Sequence, residues 1–242
     1  MQMNEVVVTG LGVVSALGPD AEAFTARLRS GESGIGKLTL FDASGCRSEL
    51  VGQAAEPSFP ASLSLPPRSS RPDRFGIAAA LAAIAQAGLD GAALHRAAVL
   101  FGTGCGGAQE TEAYLRQTLA GPLPPAGELV PHQPSSVTDL VARRLGATGP
   151  RATIMTACSS SAKVFAAAAR MIHAGLIDAC VVGGADMTPE AALTKLSYLL
   201  SLGLPRAEVQ RLMRHNLRGE LTATDRVGLH RYSFPAGQPA EI

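Results

Sequence analysis

Across residues 151–173 the chain switches from a β-branched to an alanine-rich pattern, and no other feature limits the fold as sharply. Residues 151–156 carry Thr153, Ile154 and Thr156, whereas residues 162–173 are a dense run of Ala, Val, Phe, Met and Ile of helical length. A β-branched run feeding directly into such a helix is the unit of an α/β protein. Short apolar runs at residues 5–9, 97–101 and 179–182 repeat the pattern, separated by alanine-rich helical stretches. Near-continuous apolar strands predict a sheet covered on both faces. Residues 159–173 are apolar almost all round, which predicts a buried central helix with Gly175 as its stop.

At the junction stands Cys158, within Ile154-Met155-Thr156-Ala157-Cys158-Ser159-Ser160-Ser161-Ala162. The pattern places its thiol at or near a helix N-terminus, where unpaired backbone N–H groups and the helix dipole favour the thiolate. A thiolate can attack a thioester. An arbitrary free cysteine is more often a small buried hydrophobe, but its position among small hydroxyl residues marks Cys158 as a nucleophile.

Other motifs have plainer readings. Gly10-Leu11-Gly12 lacks the third glycine and the distal acidic residue of a dinucleotide fingerprint. Gly104, Gly106 and Gly107 allow a tight loop near the cysteine rather than a phosphate cradle. Cys105 has no Cys or His at zinc-site spacing, so no metal site is expected; Cys46 and Cys180 read as ordinary thiols.

Met155-Thr156-Ala157-Cys158-Ser159-Ser160-Ser161 resembles the active-site motif of the β-ketoacyl synthases, condensing enzymes of fatty-acid and polyketide assembly with a thiolase-like fold. The resemblance runs from about Glu5 to Asp186 and follows family order. It takes in Val6-Val7-Val8-Thr9-Gly10-Leu11-Gly12 as first strand and loop, then Phe24, Leu28 and the turn Ser30-Gly31-Glu32-Ser33-Gly34. Arg71-Pro72-Asp73-Arg74-Phe75 resembles the start of a later helix, Gly102-Thr103-Gly104-Cys105-Gly106-Gly107 the glycine loop, and Val182-Gly183-Gly184-Ala185-Asp186 the strand and turn after the nucleophile helix.

The resemblance implies one half of a thiolase-like αβα layered fold, with a mostly parallel mixed sheet and a buried nucleophile helix. It implies an acyltransferase in which Cys158 accepts an acyl group and its backbone N–H is one of two oxyanion donors. No resident cofactor is implied, because the substrate rides on the phosphopantetheine of acyl carrier protein. The implied partners are acyl carrier protein and a second synthase chain, as homodimer or heterodimer. The family's catalytic histidines belong to a second half, and His95, His132, His173, His215 and His230 match none of its motifs. Each reads as a surface or helix-end histidine.

After Asp186 the character changes. Thr188, Pro189 and Glu190 suit a helix start, and Leu193, Leu196, Leu199 and Leu200 recur at helical spacing before Gly203. Pro205 opens a second predicted helix through Val209, Leu212, Met213 and Leu217, so residues 187–242 are expected to be a helical tail built on a hairpin, and residues 1–186 the synthase-like domain. Residues 184–196 and 216–222 resemble the C-terminal end of cytoplasmic-type L-asparaginases, which places a join at 184–186. None of that family's Thr-Gly-Gly-Thr or Thr-Asp-Gly motifs is present.

Three functions follow in order: acyl transfer through Cys158, incomplete in this chain; a non-catalytic half-enzyme that binds a partner; and an asparaginase fragment. A formal charge of +1 with 17% charged residues gives no reason to expect nucleic acid. Residues 1–5 lack the pattern of a signal peptide, no apolar run is long enough to span a bilayer, and the four cysteines form no regular framework. The expected location is the cytoplasm. Proline-rich residues 56–72 and 120–134 are expected to be surface loops.

Overall fold

The computed structural model of the chain describes residues 5–41, 49–89, 91–187, 218–223 and 228–233. It forms two compact units, Met1–Glu190 and Ala191–Ile242.

In the first unit, helix α1 (Ala21–Arg29) is capped by Asp20, whose carboxylate accepts from Ala23 N at 2.8 Å. Two short strands, β1 (Ile35–Lys37) and β2 (Leu50–Gly52), pair antiparallel. Helix α2 (Arg71–Ala87) starts with a capping box: Ser70 Oγ accepts from Asp73 N at 3.2 Å, and the Asp73 carboxylate accepts from Ser70 N at 2.8 Å. Of residues 56–72, expected as a surface loop, Arg71 and Pro72 are instead the buried first turn of α2 and Leu63 packs into the core, while Arg71 Nη2 donates to Ala54 O and Arg74 Nε to Glu56 Oε2. Burial pushes the Glu56 carboxyl up, but hydrogen bonding and charge from Arg74 and Arg71 outweigh it and hold Glu56 below its ordinary 4.5.

Helix α3 (Gly91–Arg96) leads into strand β3 (Ala98–Gly102), which is buried at every residue. Then follow α4 (Ala108–Ala120), a 3₁₀ helix (Ala126–His132) and α5 (Ser136–Leu145). Strand β4 (Arg151–Ile154), helix α6 (Ser160–His173) and strand β5 (Cys180–Gly184) complete the unit. The sheet has the order β4-β3-β5 and both pairings are parallel, with Gly102 opposite Ile154 on one side and Gly184 on the other. Parallel neighbours need helical crossovers, and the alanine-rich segments supply them.

Side chains of β3 alternate between two cores. Val99 and Phe101 pack with Ile77 and Ala80 of α2 and with Val137, Leu140 and Val141 of α5. Ala98 and Leu100 pack on the opposite side with Val164 of α6 and Ile177. Burying each such Val, Leu or Ile contributes about 1.5–3 kcal/mol before chain entropy is counted. The expected α/β class is present, with a parallel sheet covered by α2 and α5 on one face and α6 on the other.

Several details differ from expectation. Residues 5–9 form no strand: Val7 and Val8 are exposed, and the segment runs along α2 without a ladder partner among the described residues. Its contacts explain Gly10 and Gly12, since a Cβ at either would strike the carbonyl oxygens of Ala83 or Ala79, and Leu11 N donates to Gln86 Oε1 at 2.6 Å. The expected mostly parallel sheet is present: among the described residues its three strands pair in parallel and the antiparallel pairs are separate. Helix α6 is not buried all round: Ser160, Val164 and Ala168 are buried, while Phe165 is 48% exposed, lining an open cavity with residues 6–12 and strand β5. Residues 120–134 hold the 3₁₀ helix within the predicted loop.

In the second unit, β6 (Arg218–Ala223) and β7 (Gly228–Ser233) form an antiparallel pair, with Leu221 opposite His230. The helical reading of the tail did not include these strands. The two helices predicted over residues 188–217 lie outside the described residues, as does Cys46.

Candidate active site around Cys158

Strand β4 delivers the chain to a short elbow, Met155 to Ser159, and α6 begins at Ser160. Ala157 adopts φ 52°, a left-handed conformation that costs an L-residue roughly 1–2 kcal/mol. Such a conformation persists only where its surroundings hold it. Here they do. Ser159 N donates to Thr156 O at 3.3 Å and Ser160 N to Ala157 O at 3.1 Å, closing two tight turns. Ser159 Oγ turns back to Thr156 O at 2.9 Å instead of capping the helix.

Ser160 pins the elbow from below. It is 2% exposed, its Oγ accepts from Thr156 N at 2.8 Å, and its proton points between Ala157 O at 2.6 Å and Thr103 O at 3.1 Å. The last of these ties the elbow to the loop after β3. Cys158 therefore sits on the outside of a constrained turn, two residues before α6, with an exposed side chain.

The first turn of α6 lies directly over the ends of β3 and β5. A Cβ on Gly102 would come within 2.5 Å of the Ser160 carbonyl carbon, and one on Gly184 would overlap Ser161 Oγ. These two glycines are register partners. Their missing side chains let α6 descend far enough to present Cys158 at the strand ends, where α/β sheets carry their sites.

Beside the elbow runs the glycine loop. Thr103, 2% exposed, accepts from Gly106 N at 3.0 Å through its hydroxyl. Asp186, just beyond β5, accepts from Gly104 N at 2.7 Å, Cys105 N at 3.0 Å and Met187 N at 3.0 Å, with Thr103 Oγ1 at 3.5 Å. Burial, and then the negative charge of Asp186, push the Cys105 thiol above its ordinary 9.0. Burial carries Cys180 up to about 11, which fits an inert thiol.

The sequence reading placed Cys158 at a helix N-terminus, and the structure puts it there. That reading did not single out Ser160, Thr103 or Gly102 as the elements that hold the elbow; the hydroxyl and glycine identities were visible, but their partners were not. Asp186 was read as the end of a motif rather than as the anchor of the glycine loop. His95 and His173 close α3 and α6, and His132 closes the 3₁₀ helix with Nδ1 2.7 Å from Thr111 Oγ1. His230 lies on β7, and His215 is outside the described residues. Among the described residues no cluster of His, Cys, Asp and Glu could hold a metal ion.

An αβα half, a cysteine elbow before a helix and a glycine loop locked to it define a thiolase-like synthase domain. The chain belongs to the β-ketoacyl synthase family: residues 3–199 match the model of "Beta-ketoacyl synthase, N-terminal domain". The match continues past Asp186. The chain is 33% identical over 208 residues to a 3-oxoacyl-[acyl-carrier-protein] synthase 2 of Synechocystis, covering 82% of this chain and 48% of that protein. It is 33% identical over 192 residues to the chloroplastic 3-oxoacyl-[acyl-carrier-protein] synthase I of Arabidopsis thaliana, covering 76% and 41%. The structure of the ishigamide ketosynthase/chain length factor superposes with a TM-score of 0.73 at 28% identity, covering 82% of this chain and 51% of that one. The chain thus spans about half the length of the relatives it matches.

Proposed function

We propose that this chain carries the acyl-accepting half of a β-ketoacyl synthase, with Cys158 as nucleophile. The observation that carries the reading is an exposed thiol on a left-handed elbow immediately before α6. In the proposed step Cys158 Sγ attacks the carbonyl carbon of an acyl thioester. A new S–C bond forms, the bond to the phosphopantetheine sulfur breaks, and that sulfur leaves and takes up a proton. The Cys158 backbone N–H is one of two donors to the oxyanion; one such donor is worth about 3–4 kcal/mol in other acyl-transfer enzymes. The names of the relatives support acyl carrier protein as the acyl donor, and a 34% identical relative named "Putative polyketide beta-ketoacyl synthase 1", of Streptomyces cyaneus, supports a polyketide beside a fatty-acid chain as the acyl class. No resident cofactor enters this step. The cytoplasm is the proposed location, on composition and the irregular spacing of the thiols; among the described residues no helix is long and apolar enough to cross a membrane.

Intact-mass analysis after incubation with an acyl carrier protein thioester tests the proposal. A single acyl adduct is expected on the wild-type chain and none on Cys158→Ala; an adduct that persists in Cys158→Ala overturns it.

A second reading, a half-enzyme that binds another synthase chain without catalysis, is favoured by the exposed apolar side chains of Val7, Val8, Leu11 and Phe165, which line one open cavity, and by the ketosynthase/chain length factor pairing named for the structural relative. Light scattering that finds a monomer, with no retention of a synthase partner, counts against it. The asparaginase resemblance of the tail rests on its sequence alone, and no relative reported above is an asparaginase. No ammonia release from asparagine is expected.

A further inference from the structure

Two thiols stand exposed on the loops that meet at the site. Cys158 rides the elbow, and Cys105 rides the glycine loop. The two loops touch: a Cβ on Gly104 would lie 3.9 Å from Ala157 Cα and 2.7 Å from Asp186 Oδ2. Either thiol is therefore open to an electrophile delivered there, and an acyl group parked on Cys105 would be wasted. The carboxylate of Asp186 is fixed against the backbone N–H of Cys105 at 3.0 Å, and the N–H groups of Gly104 and Met187 keep it from swinging away. A fixed negative charge beside a thiol disfavours a second one.

We propose that Asp186 is a specificity-determining residue: clamped beside Cys105, its carboxylate suppresses nucleophilic reaction of that thiol and leaves Cys158 as the one that takes the acyl group. The proposal rests on the reading of Cys158 as nucleophile for its biological consequence. Its geometry does not depend on it. The direction found for Cys105, raised by burial first and by Asp186 second, agrees. Of the other titratable groups on the packed elements, His132 meets Thr111 and Glu110 of α4 accepts from Arg71 N at 3.2 Å, while Glu112 lies on the same helix. Lys163, in the first turn of α6, is exposed.

The test is site-resolved alkylation of the full chain by iodoacetamide, followed by peptide mass mapping. In Asp186→Asn, Cys105 modification at pH 7.5 is expected to quicken by about threefold or more, as loss of a neighbouring like charge requires, while Cys158 is unchanged. Asp186→Glu keeps the charge and should leave Cys105 slow. An unchanged Cys105 rate in Asp186→Asn overturns the proposal, and so does an equal acceleration in Asp186→Glu, which would assign the effect to loop packing. Should Asp186→Asn fail to fold, Asp186→Ser decides in its place: it keeps a hydroxyl acceptor for the loop without the charge, Cys105 is expected to quicken as in Asp186→Asn, and an unchanged Cys105 rate overturns the proposal. Failure of the nucleophile reading looks different, because Cys158 would then take no acyl group while the Cys105 rates still followed the charge at residue 186.

Discussion

Ser160 has one hydroxyl, and that hydroxyl accepts from Thr156 N while its proton serves the carbonyls of Ala157 and Thr103. Ser160→Ala leaves the Thr156 N–H and a buried carbonyl without their partner. An unsatisfied buried group costs about 1–3 kcal/mol, so urea unfolding should shift to a lower midpoint by that amount. Acyl capture at Cys158 should fall as well, because Ala157 is no longer held at positive φ; unchanged stability and unchanged capture would show that the elbow does not need the bond. The place of Cys158 just before a helix was legible in the sequence because the pattern is local: a β-branched run, a cysteine, small hydroxyls and a helix lie within one segment. Ser160 was not, since its partner Thr103 is 57 residues away and no period in the sequence connects them. Asp186 escaped for the same reason, its bonds to the glycine loop spanning 81 and 82 residues.

Helix α6 shows where reading a pattern stops. Its composition is apolar almost all round, yet only the side with Val164 and Ala168 meets the sheet. Hydrophobic periodicity reports which side chains would gain from burial; it does not report whether the chain supplies a neighbour. Val164, fully buried, and Phe165, 48% exposed, therefore separate the two cases at adjacent positions. Val164→Ala is expected to cost about 1.5–3 kcal/mol, the loss of two buried methyl groups plus a small cavity. Phe165→Ser should cost less than about 1 kcal/mol in the isolated chain, in spite of the larger change in hydrophobicity. Equal costs in denaturant unfolding would mean that something covers Phe165 in solution. The same limit explains residues 5–9: their β-branched run is strand-like, but a strand exists only with a ladder partner, and this segment packs its two glycines on α2 instead.

At the scale of the whole molecule, the proposed acyl transfer is one part of a reaction that the family resemblance divides between two halves, and the chain spans about half the length of the relatives it matches. What the described residues hold is the geometry on which that proposal rests: the elbow, the glycine pair beneath α6 and the locked loop beside it. What decarboxylates a malonyl thioester and stabilises the resulting carbanion is, by the same resemblance, a set of histidines; of those whose places are described, His95, His132 and His173 close helices and His230 lies on β7. General acid–base groups contribute about 10²–10⁴-fold each, so their loss leaves acyl transfer far less affected than condensation. The purified chain, given an acyl carrier protein thioester and malonyl carrier protein together, should therefore accumulate acyl-Cys158 and form no new carbon–carbon bond. Chromatography of the carrier-bound products tests this directly. A β-ketoacyl product that disappears in Cys158→Ala would show that the decarboxylating groups lie within these residues after all, and the division of labour inferred from the family would not hold for this protein.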